Sequence, residues 1–206
     1  AQNEGNGVVL AAVDKIYVGF IALSDTVKED AAQALQSLKN AGITTVMLTG
    51  DNAFTAKNVA GKLGVEKVFA GMLPNEKFET IKRLQEEGAV LFVGDGINDA
   101  ASLKQANVGI AMSSGADIAK EAGDAVLVKN DLKSAVSAIN LANETMKTIR
   151  QNLFWAFVYN AVCIPVAAGV LAPLGLMLTP VYGAAAMCFS SVTVVLNSIR
   201  LRFKQI

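Results

Sequence analysis

The sequence predicts an α/β domain with a Rossmann-type parallel sheet, followed by a two-helix transmembrane hairpin. From residue 24 to about 134, short apolar strands alternate with helical segments, a pattern typical of a parallel sheet covered by helices. Residues 151–199 contain no Asp, Glu, Lys or Arg, and all 18 acidic residues lie at or before Glu144. An uncharged run of 49 residues is too long for one core helix and suits two membrane crossings of about 20 residues each with a turn between them.

The first elements are predicted as a β-hairpin and a helix. Residues 7–23, GVVLAAVDKIYVGFIAL, form two apolar runs separated by Asp14 and Lys15, which is the length of a two-residue hairpin turn. Residues 25–42 carry the spacing of an amphipathic helix, and Gly42 is placed to end it.

The following elements alternate between strand and helix. Each predicted strand is a short apolar run, and the helices begin near polar residues or Pro74 and often end at glycine, as at Gly88. The predicted strands lie within 43–51, 65–71, 89–96, 108–112 and 124–128, and the predicted helices within 52–64, 73–88, 99–106 and 115–123.

The last part of the chain is predicted to enter a membrane. A helix that begins at Asp131 meets no glycine or proline until Pro165, so we expect it to continue into the first span. The spans are predicted at about 152–172 and 178–199, with the turn APLGLMLTP between them. Basic residues flank both spans, which predicts that both ends and the soluble part are cytoplasmic in a multi-pass protein of the plasma or inner membrane. These residues are Lys147, Arg150, Arg200, Arg202 and Lys204.

Two polar turns follow predicted strands and carry the candidate chemistry. One is TGD, Thr49 to Asp51, and the other is GDGIND, which contains Asp95, Asn98 and Asp99. Ligands of open α/β sheets bind at the carboxyl ends of strands, and carboxylates together with phosphate oxygens suit Mg²⁺. Isolated Gly-Asp pairs are ordinary turn residues. The full motif GDGIND after an apolar strand is much more specific for a functional site.

Phosphate is the ligand that these turns predict. Asn98 can donate a hydrogen bond to phosphate, and Thr49 offers its hydroxyl and its backbone N–H to the same group. Lys77 is the candidate cation that neutralises the phosphoryl charge, although a lone helical lysine is more often a solvated residue.

The segments MLTGDN, LPNEK and VGDGINDA, in this order, resemble the phosphorylation domain of P-type ATPases, members of the haloacid-dehalogenase-like superfamily. This resemblance implies a haloacid-dehalogenase-like fold, with ATP and Mg²⁺ as ligands. It implies that Thr49 contacts the phosphoryl group within the TGD turn, that Lys77 stabilises it and that Asp95 carries Mg²⁺. The supporting residues of this implied site are Gly50, Asp51, Asn98 and Asp99.

The chain departs from the family pattern in two ways. Ala101 stands where the family usually has proline after GINDA. The family's DKTGT segment, whose first Asp is the nucleophile, and its actuator TGE loop do not occur in these 206 residues. Asp14 in VDKIY is followed by no Thr-Gly-Thr and is rejected as the nucleophile. The phosphorylated Asp is therefore expected outside this chain, which alone is predicted to be inactive.

The resemblance also divides the chain into three parts. Residues 1–23 look like the last strands of a nucleotide-binding domain, residues 24–134 like the phosphorylation domain, and residues 135–206 like a connecting helix and membrane hairpin. Because the chain opens at AQNEGNG without Met, it is expected to be a piece of a longer polypeptide.

Four polar or sulfur side chains in the predicted spans form a candidate ion site. Asn160 lies about 15 Å along the helix from Arg150, and Met187 and Ser191 lie roughly 20 and 14 Å from Arg200, so these residues and Tyr159 could share one depth. A thioether beside oxygen ligands favours a soft monovalent ion such as Cu⁺, and neither span holds a carboxylate. The alternative is that Met187 only packs and that Ser191 bonds its own backbone.

The segments YNAVCIPVAAG and MCFSSVTVVLNSIRL resemble the last two spans of copper-transporting P-type ATPases. The resemblance implies that Tyr159, Asn160, Met187 and Ser191 bind Cu⁺, and Ag⁺ shares the same ligand chemistry. The family's Cys-Pro-Cys span, which would complete the site, is not in the chain. Cys163 and Cys188 are outside this pattern and are predicted to pack without a disulfide.

The function predicted from these observations is the C-terminal part of an ATP-driven Cu⁺ export pump that works through an aspartyl phosphate. Its expected partners are ATP, Cu⁺, the lipid bilayer and the missing N-terminal part of the pump with its actuator domain; no nucleic acid is expected. Two alternatives stay open: a non-catalytic half-pump partner or regulator, and a membrane-anchored phosphatase of the same superfamily.

Overall fold

The computed structural model describes residues 7–23, 27–95, 97–113, 117–175 and 179–204. The chain divides into two compact units, Ala1–Val136 and Ser137–Ile206. Some predicted features lie partly outside the described residues: residues 1–6 of the predicted first part, the beginnings of the helices predicted at 25–42 and 115–123, the second glycine of GDGIND, and residues 176–178 between the predicted spans.

The predicted hairpin at the start of the first unit is confirmed. Strand β1 (Gly7–Val13) pairs antiparallel with β2 (Ile16–Leu23), and Val13 is opposite Ile16. Asp14 and Lys15 have φ angles of 52° and 66°, the left-handed values that a two-residue type I′ turn requires. None of the described side chains of this hairpin is buried, and large apolar ones such as Leu10 and Phe20 are more than half exposed.

The rest of the first unit alternates between helix and strand as predicted. The helices are α1 (Glu29–Asn40), α2 (Ala53–Leu63), α3 (Pro74–Glu87), α4 (Ala100–Gln105) and α5 (Asp117–Ala122). The strands are β3 (Val46–Leu48), β4 (Lys67–Phe69), β5 (Leu91–Gly94), β6 (Val108–Ala111) and β7 (Ala125–Val126).

Local chemistry sets the ends of these helices. The Asn52 side chain caps α2 by accepting hydrogen bonds from the N–H groups of Phe54 and Thr55, and Gly64 ends that helix with a φ of 70°. Pro74 opens α3, where the missing N–H costs nothing, and the Glu76 carboxylate accepts the Leu73 N–H at 2.8 Å.

The parallel arrangement of these five strands is confirmed, but they form two sheets. Strand β3 pairs with β4, and β5, β6 and β7 pair in that order. Within the described ranges, no strand joins β3 to β5. Periodicity predicts that a segment is a strand but does not say which strands lie side by side, so the division was not visible in the sequence.

The best-buried part of the first unit lies where α4 and α5 pack on β6. Leu103 and Ala111 are fully buried and contact Phe92 and Ala122. A second cluster joins Ile110, Leu127 and Ala135 to Val93. Helix α4 and strand β6 approach so closely that a Cβ atom on Gly109 would lie 2.3 Å from the backbone carbonyl oxygen of Leu103.

The second unit contains most of a long helix and a second helix. Helix α6 (Leu132–Ala167) is continuous, as predicted, and continues past Pro165. Its first turn is capped by the Asp131 carboxylate, which accepts the Ser134 N–H at 2.7 Å, and hydrogen bonds from Ser134 lower the pKa of Asp131. A 3₁₀ turn (Ala172–Leu174) precedes α7 (Pro180–Ile199), and another (Arg200–Phe203) follows it.

One segment among the described residues is long and apolar enough to cross a membrane, Val181–Phe203, with a mean hydropathy of 1.5. It overlaps the second predicted span. The first predicted span, 152–172, stays a prediction.

Gly109→Ala is expected to destabilise the first unit by about 1–3 kcal/mol, because the new methyl group would collide with backbone that cannot rotate away. Gly61→Ala is the matched control: a Cβ there has no neighbour within 4 Å, and alanine should stabilise α2 by up to about 1 kcal/mol. Thermal unfolding of the detergent-solubilised variants, followed by circular dichroism, measures both. Equal melting temperatures for the two variants would contradict the close packing of α4 on β6.

Candidate functional site

Two of the candidate phosphate-site residues follow strands that belong to two parallel sheets. Thr49 comes directly after β3, and Asp95 comes directly after β5. Lys77 lies in the first turn of α3, and Asp99 ends the 3₁₀ turn Ile97–Asp99 that leads into α4. These are the strand-end positions at which α/β sheets bind ligands.

The TGD turn is held by its own hydrogen bonds. The Thr49 hydroxyl donates to an Asp51 carboxylate oxygen at 2.9 Å and accepts the Asp51 N–H at 3.1 Å. A Cβ atom on Gly50 would lie 3.4 Å from the Met72 carbonyl oxygen, at ordinary contact distance. The turn therefore presents Thr49 and Asp51 as one preformed unit.

One expectation about Thr49 is wrong. Its backbone N–H does not point to a ligand, because it donates to the carbonyl oxygen of Phe69 at 3.0 Å and so extends the pairing of β3 with β4. The Thr49 hydroxyl has one proton, which it donates to Asp51, so it can donate to phosphate only by exchanging that hydrogen bond. Sequence gives the order of the strands but not the residue at which their pairing ends.

Lys77 and Asp99 form a half-buried ion pair. The Lys77 ammonium lies 2.8 Å from Asp99 Oδ1, and the two side chains are 15% and 12% exposed. Lys77 is therefore not a solvated helix residue. Asp99 fits over the end of β5 because residue 94 is glycine: a Cβ atom there would lie 2.9 Å from the Asp99 Cβ. The pairing of these two predicted site residues was missed, since 22 positions separate them.

Asp95 and Asn98 are exposed beside this ion pair, one directly after β5 and the other next to Asp99. The geometry gives an exposed carboxylate and amide, backed by a buried carboxylate that is already neutralised by lysine. Among the described residues, no three Cys, His, Asp or Glu side chains converge as a closed metal site. An oxygen set this open fits Mg²⁺, which keeps several waters and takes one or two carboxylates together with phosphate oxygens.

The four candidate ion ligands lie on α6 and α7, and three of them are exposed. Tyr159 is half-buried, whereas Asn160 and Ser191 are exposed and Met187 is 72% exposed. The Asn160 amide donates to the Ala156 carbonyl oxygen at 2.9 Å, and the Ser191 hydroxyl donates to the Met187 carbonyl oxygen at 3.2 Å. The expected serine-to-backbone bond is present, and three of the four residues face away from the half-buried sides of the helices.

Sequence reasoning missed the polar contacts that join the two helices. Asn197 donates to the Asn152 side-chain oxygen at 2.8 Å, and Asn152 donates to the Ser198 hydroxyl at 2.9 Å. The sequence did contain a clue. Asn152 lies two residues after Arg150 and Asn197 lies three residues before Arg200, so both asparagines lie at the basic end of their apolar segments.

Comparison with known proteins shows which family this architecture belongs to. A family model described as haloacid dehalogenase-like hydrolase matches residues 1–107. The chain belongs to this family. A crystal structure of a zinc-transporting PIB-type ATPase in the E2.Pi state superposes on 97% of the chain with a TM-score of 0.84 and 38% identity. The chain covers 32% of that protein.

Curated relatives confirm the expected similarity to heavy-metal P-type ATPases. Copper-transporting ATPase 1 of Mus musculus is 49% identical over 202 residues, 98% of this chain and 14% of that protein. The silver exporting P-type ATPase of Salmonella typhimurium is 51% identical over 201 residues, and a probable copper-exporting P-type ATPase of Archaeoglobus fulgidus is 47% identical over 202. The chain spans between about one seventh and one quarter of these relatives.

Lys77→Met is expected to lower the free energy of unfolding of the first unit by about 2–4 kcal/mol, because the Asp99 carboxylate would stay buried without its cation. The matched control is Lys67→Met, since Lys67 pairs with Glu87 at a similar 2.9 Å but both side chains are largely exposed, 46% and 66%. That control should lose at most about 1 kcal/mol. Urea unfolding followed by circular dichroism tests both, and equal losses would show that the burial of the Lys77–Asp99 pair has no energetic consequence.

Proposed function

We propose that this chain is the C-terminal part of an ATP-driven Cu⁺ export pump whose phosphorylated Asp lies outside the chain. The observation that carries this proposal is the Lys77–Asp99 ion pair beside exposed Asp95, at the carboxyl ends of parallel strands in a haloacid dehalogenase-like domain. The copper and silver pumps among the relatives support an ATP-driven metal pump in general.

Each residue of the phosphate site has a part in this proposal. The Lys77 ammonium stabilises the charge on the phosphoryl oxygens. The Thr49 hydroxyl, flanked by Gly50, donates to one of these oxygens by giving up its hydrogen bond to the Asp51 carboxylate. Asp95 would hold Mg²⁺, with Asn98 and Asp99 in support; when bound, the ion neutralises phosphate charge. Asp99 also fixes Lys77 in place, so the ammonium needs little rearrangement when the phosphoryl group arrives.

The division of the described strands into two sheets supports a further strand that carries the nucleophile. In the described residues, β3 pairs only with β4, and β5 pairs only with β6 along the sheet. A parallel strand between β3 and β5 would join the two sheets and would end between Thr49 and Asp95. We infer that the phosphorylated Asp lies at the end of that strand.

The exposed hairpin fits the same proposal. Strands β1 and β2 present large apolar side chains on both faces, among them Leu10, Tyr17 and Phe20, each more than half exposed. A two-stranded ribbon of this kind is marginal on its own. We assign it to the end of a nucleotide-binding domain whose remaining strands cover it and which brings ATP to the site.

The second unit is proposed to cross the membrane twice, with basic residues at both cytoplasmic ends. Cu⁺ or Ag⁺ would be bound by Tyr159, Asn160, Met187 and Ser191. All but Tyr159 are exposed, which fits a site that is completed by the Cys-Pro-Cys span of the rest of the pump. We also infer that continuous helix α6 provides the covalent link between the phosphorylation domain and the membrane part.

Asp95→Asn in the complete pump is expected to lower the steady-state phosphoenzyme at least about a hundredfold, because the neutral amide binds Mg²⁺ and its phosphate poorly. Acid-stable incorporation of phosphate from labelled ATP measures this. Asp117→Asn, at an aspartate whose side chain is 96% exposed at the start of α5, is the control and should incorporate phosphate normally. Normal phosphorylation of Asp95→Asn would remove Asp95 from the proposed site.

Met187→Leu is expected to raise the Cu⁺ concentration for half-maximal ATPase activity on the order of tenfold, since leucine has a similar volume but no sulfur ligand. Met146→Leu, at a methionine of α6 that is 50% exposed and outside the ligand set, controls for loss of a thioether elsewhere. If the two variants respond to Cu⁺ alike, Met187 is not a ligand of the transported ion.

A further inference from the structure

A small cluster of amides and one hydroxyl joins α6 to α7 inside the second unit. Asn197 donates to the side-chain oxygens of Asn152 at 2.8 Å and Gln151 at 3.3 Å, while Asn152 donates to Ser198 at 2.9 Å. Asn152 is therefore donor and acceptor at once. None of these four residues belongs to the proposed ion site.

The two asparagines begin matching half-buried stripes. Along both helices, half-buried residues recur at alternating spacings of four and three, the repeat of helices that pack side by side. The stripe of α6 is Asn152, Ala156, Tyr159, Cys163 and Val166, and that of α7 is Asn197, Thr193, Ser190, Ala186 and Gly183.

The contact between Asn152 and Asn197 indicates which residues of the two stripes lie opposite one another. Tyr159 is seven residues beyond Asn152, and Ser190 is seven residues before Asn197, so both lie about 10 Å from the contact along antiparallel helices. Asn160 and Ser191 are the next residues in each helix. A slip of one turn would move one half of the proposed ion site about 5 Å past the other.

A second contact, between α6 and the segment that follows α7, is consistent with the same register. The Lys204 ammonium pairs with the Glu144 carboxylate, two helical turns before Asn152. The paired numbers, 144 with 204 and 152 with 197, have nearly the same sum, as an antiparallel alignment requires. This pair is partly exposed, so water weakens it.

Apolar side chains discriminate less strongly between registers in a bilayer, because lipid chains solvate them nearly as well as another helix does. The amide cluster adds discrimination, because a shifted alignment breaks the hydrogen bonds between the two helices, as with a single asparagine in a coiled coil. We propose that Asn152 and Asn197 are positioning residues that fix the register of α6 and α7, and so hold Tyr159 and Asn160 at the depth of Met187 and Ser191. This inference rests on the proposed ion site.

The register can be measured with the chain's own thiol. The background is a complete pump with Cys188→Ser. A cysteine is introduced at position 186, which the proposed register places opposite Cys163, or at position 183 or 190, the next stripe positions on either side. A short bis-methanethiosulfonate reagent links the thiols, and mass spectrometry identifies the linked peptides. We expect position 186 to react about tenfold faster than the other two, and Asn152→Leu or Asn197→Leu to remove most of that preference.

Cu⁺ activation is measured in the same asparagine variants without introduced cysteines. The half-activating Cu⁺ concentration should rise by about five- to tenfold in each variant and no further in the double variant, because either change breaks the same contact. The maximal phosphoenzyme level of each variant should stay within about twofold of that of the unchanged pump. Thr193→Val is the matched control, since Thr193 lies on the same stripe but bonds only its own helix, at the Phe189 carbonyl oxygen, 2.8 Å away; it should change neither readout.

A cross-linking preference that survives in both leucine variants overturns the proposal, whatever the Cu⁺ response. Loss of the preference without any change in Cu⁺ activation supports the register role and counts against the proposed ion site instead. Asn197→Gln, which keeps the amide donor, should recover part of the preference. If the leucine variants do not accumulate in membranes, Asn197→Ala gives the reading, and an unchanged preference there also overturns the proposal.

Discussion

The half-buried ion pair between Lys77 and Asp99 is the interaction on which the candidate site depends. It ties the first turn of α3 to the junction of β5 and α4, two segments that are 22 residues apart in sequence. Glycine at position 94 lets Asp99 lie against the end of β5. A buried carboxylate is costly without a cation, so folding itself fixes the position of the Lys77 ammonium beside Asp99.

Much of the first unit was predictable from sequence because its signals are local. Strand and helix alternation, the Asp14–Lys15 turn and the ends of α2 and α3 depend on residues within a few positions of one another. The division into two sheets, the pairing of Lys77 with Asp99 and the use of the Thr49 N–H by Phe69 depend on contacts between distant segments. Composition and spacing carry no information about these contacts.

The second unit shows the same limit in another form. Depth along a helix follows from counting residues, so the shared depth of Asn160 and Ser191 could be predicted. The side on which each residue lies relative to the neighbouring helix could not, because contacts between the helices, such as that of Asn152 with Asn197, join residues about 45 positions apart. Met187 accordingly matches the depth of the others but lies largely exposed.

The two units are built in a similar way. Groups that hold the geometry are satisfied within the chain: Lys77 with Asp99 in the first unit, and Asn152 with Asn197 in the second. Asp95 and Met187, which are proposed to contact Mg²⁺ and the transported ion, are exposed, whereas Lys77 both holds the geometry and is proposed to face the phosphoryl group. A site that had to close on its own ligands would bury them within the chain. Exposed ligands on a fixed frame are instead what a half-site needs when its remaining groups come from another segment, a nucleophilic Asp in one case and a soft metal ligand in the other.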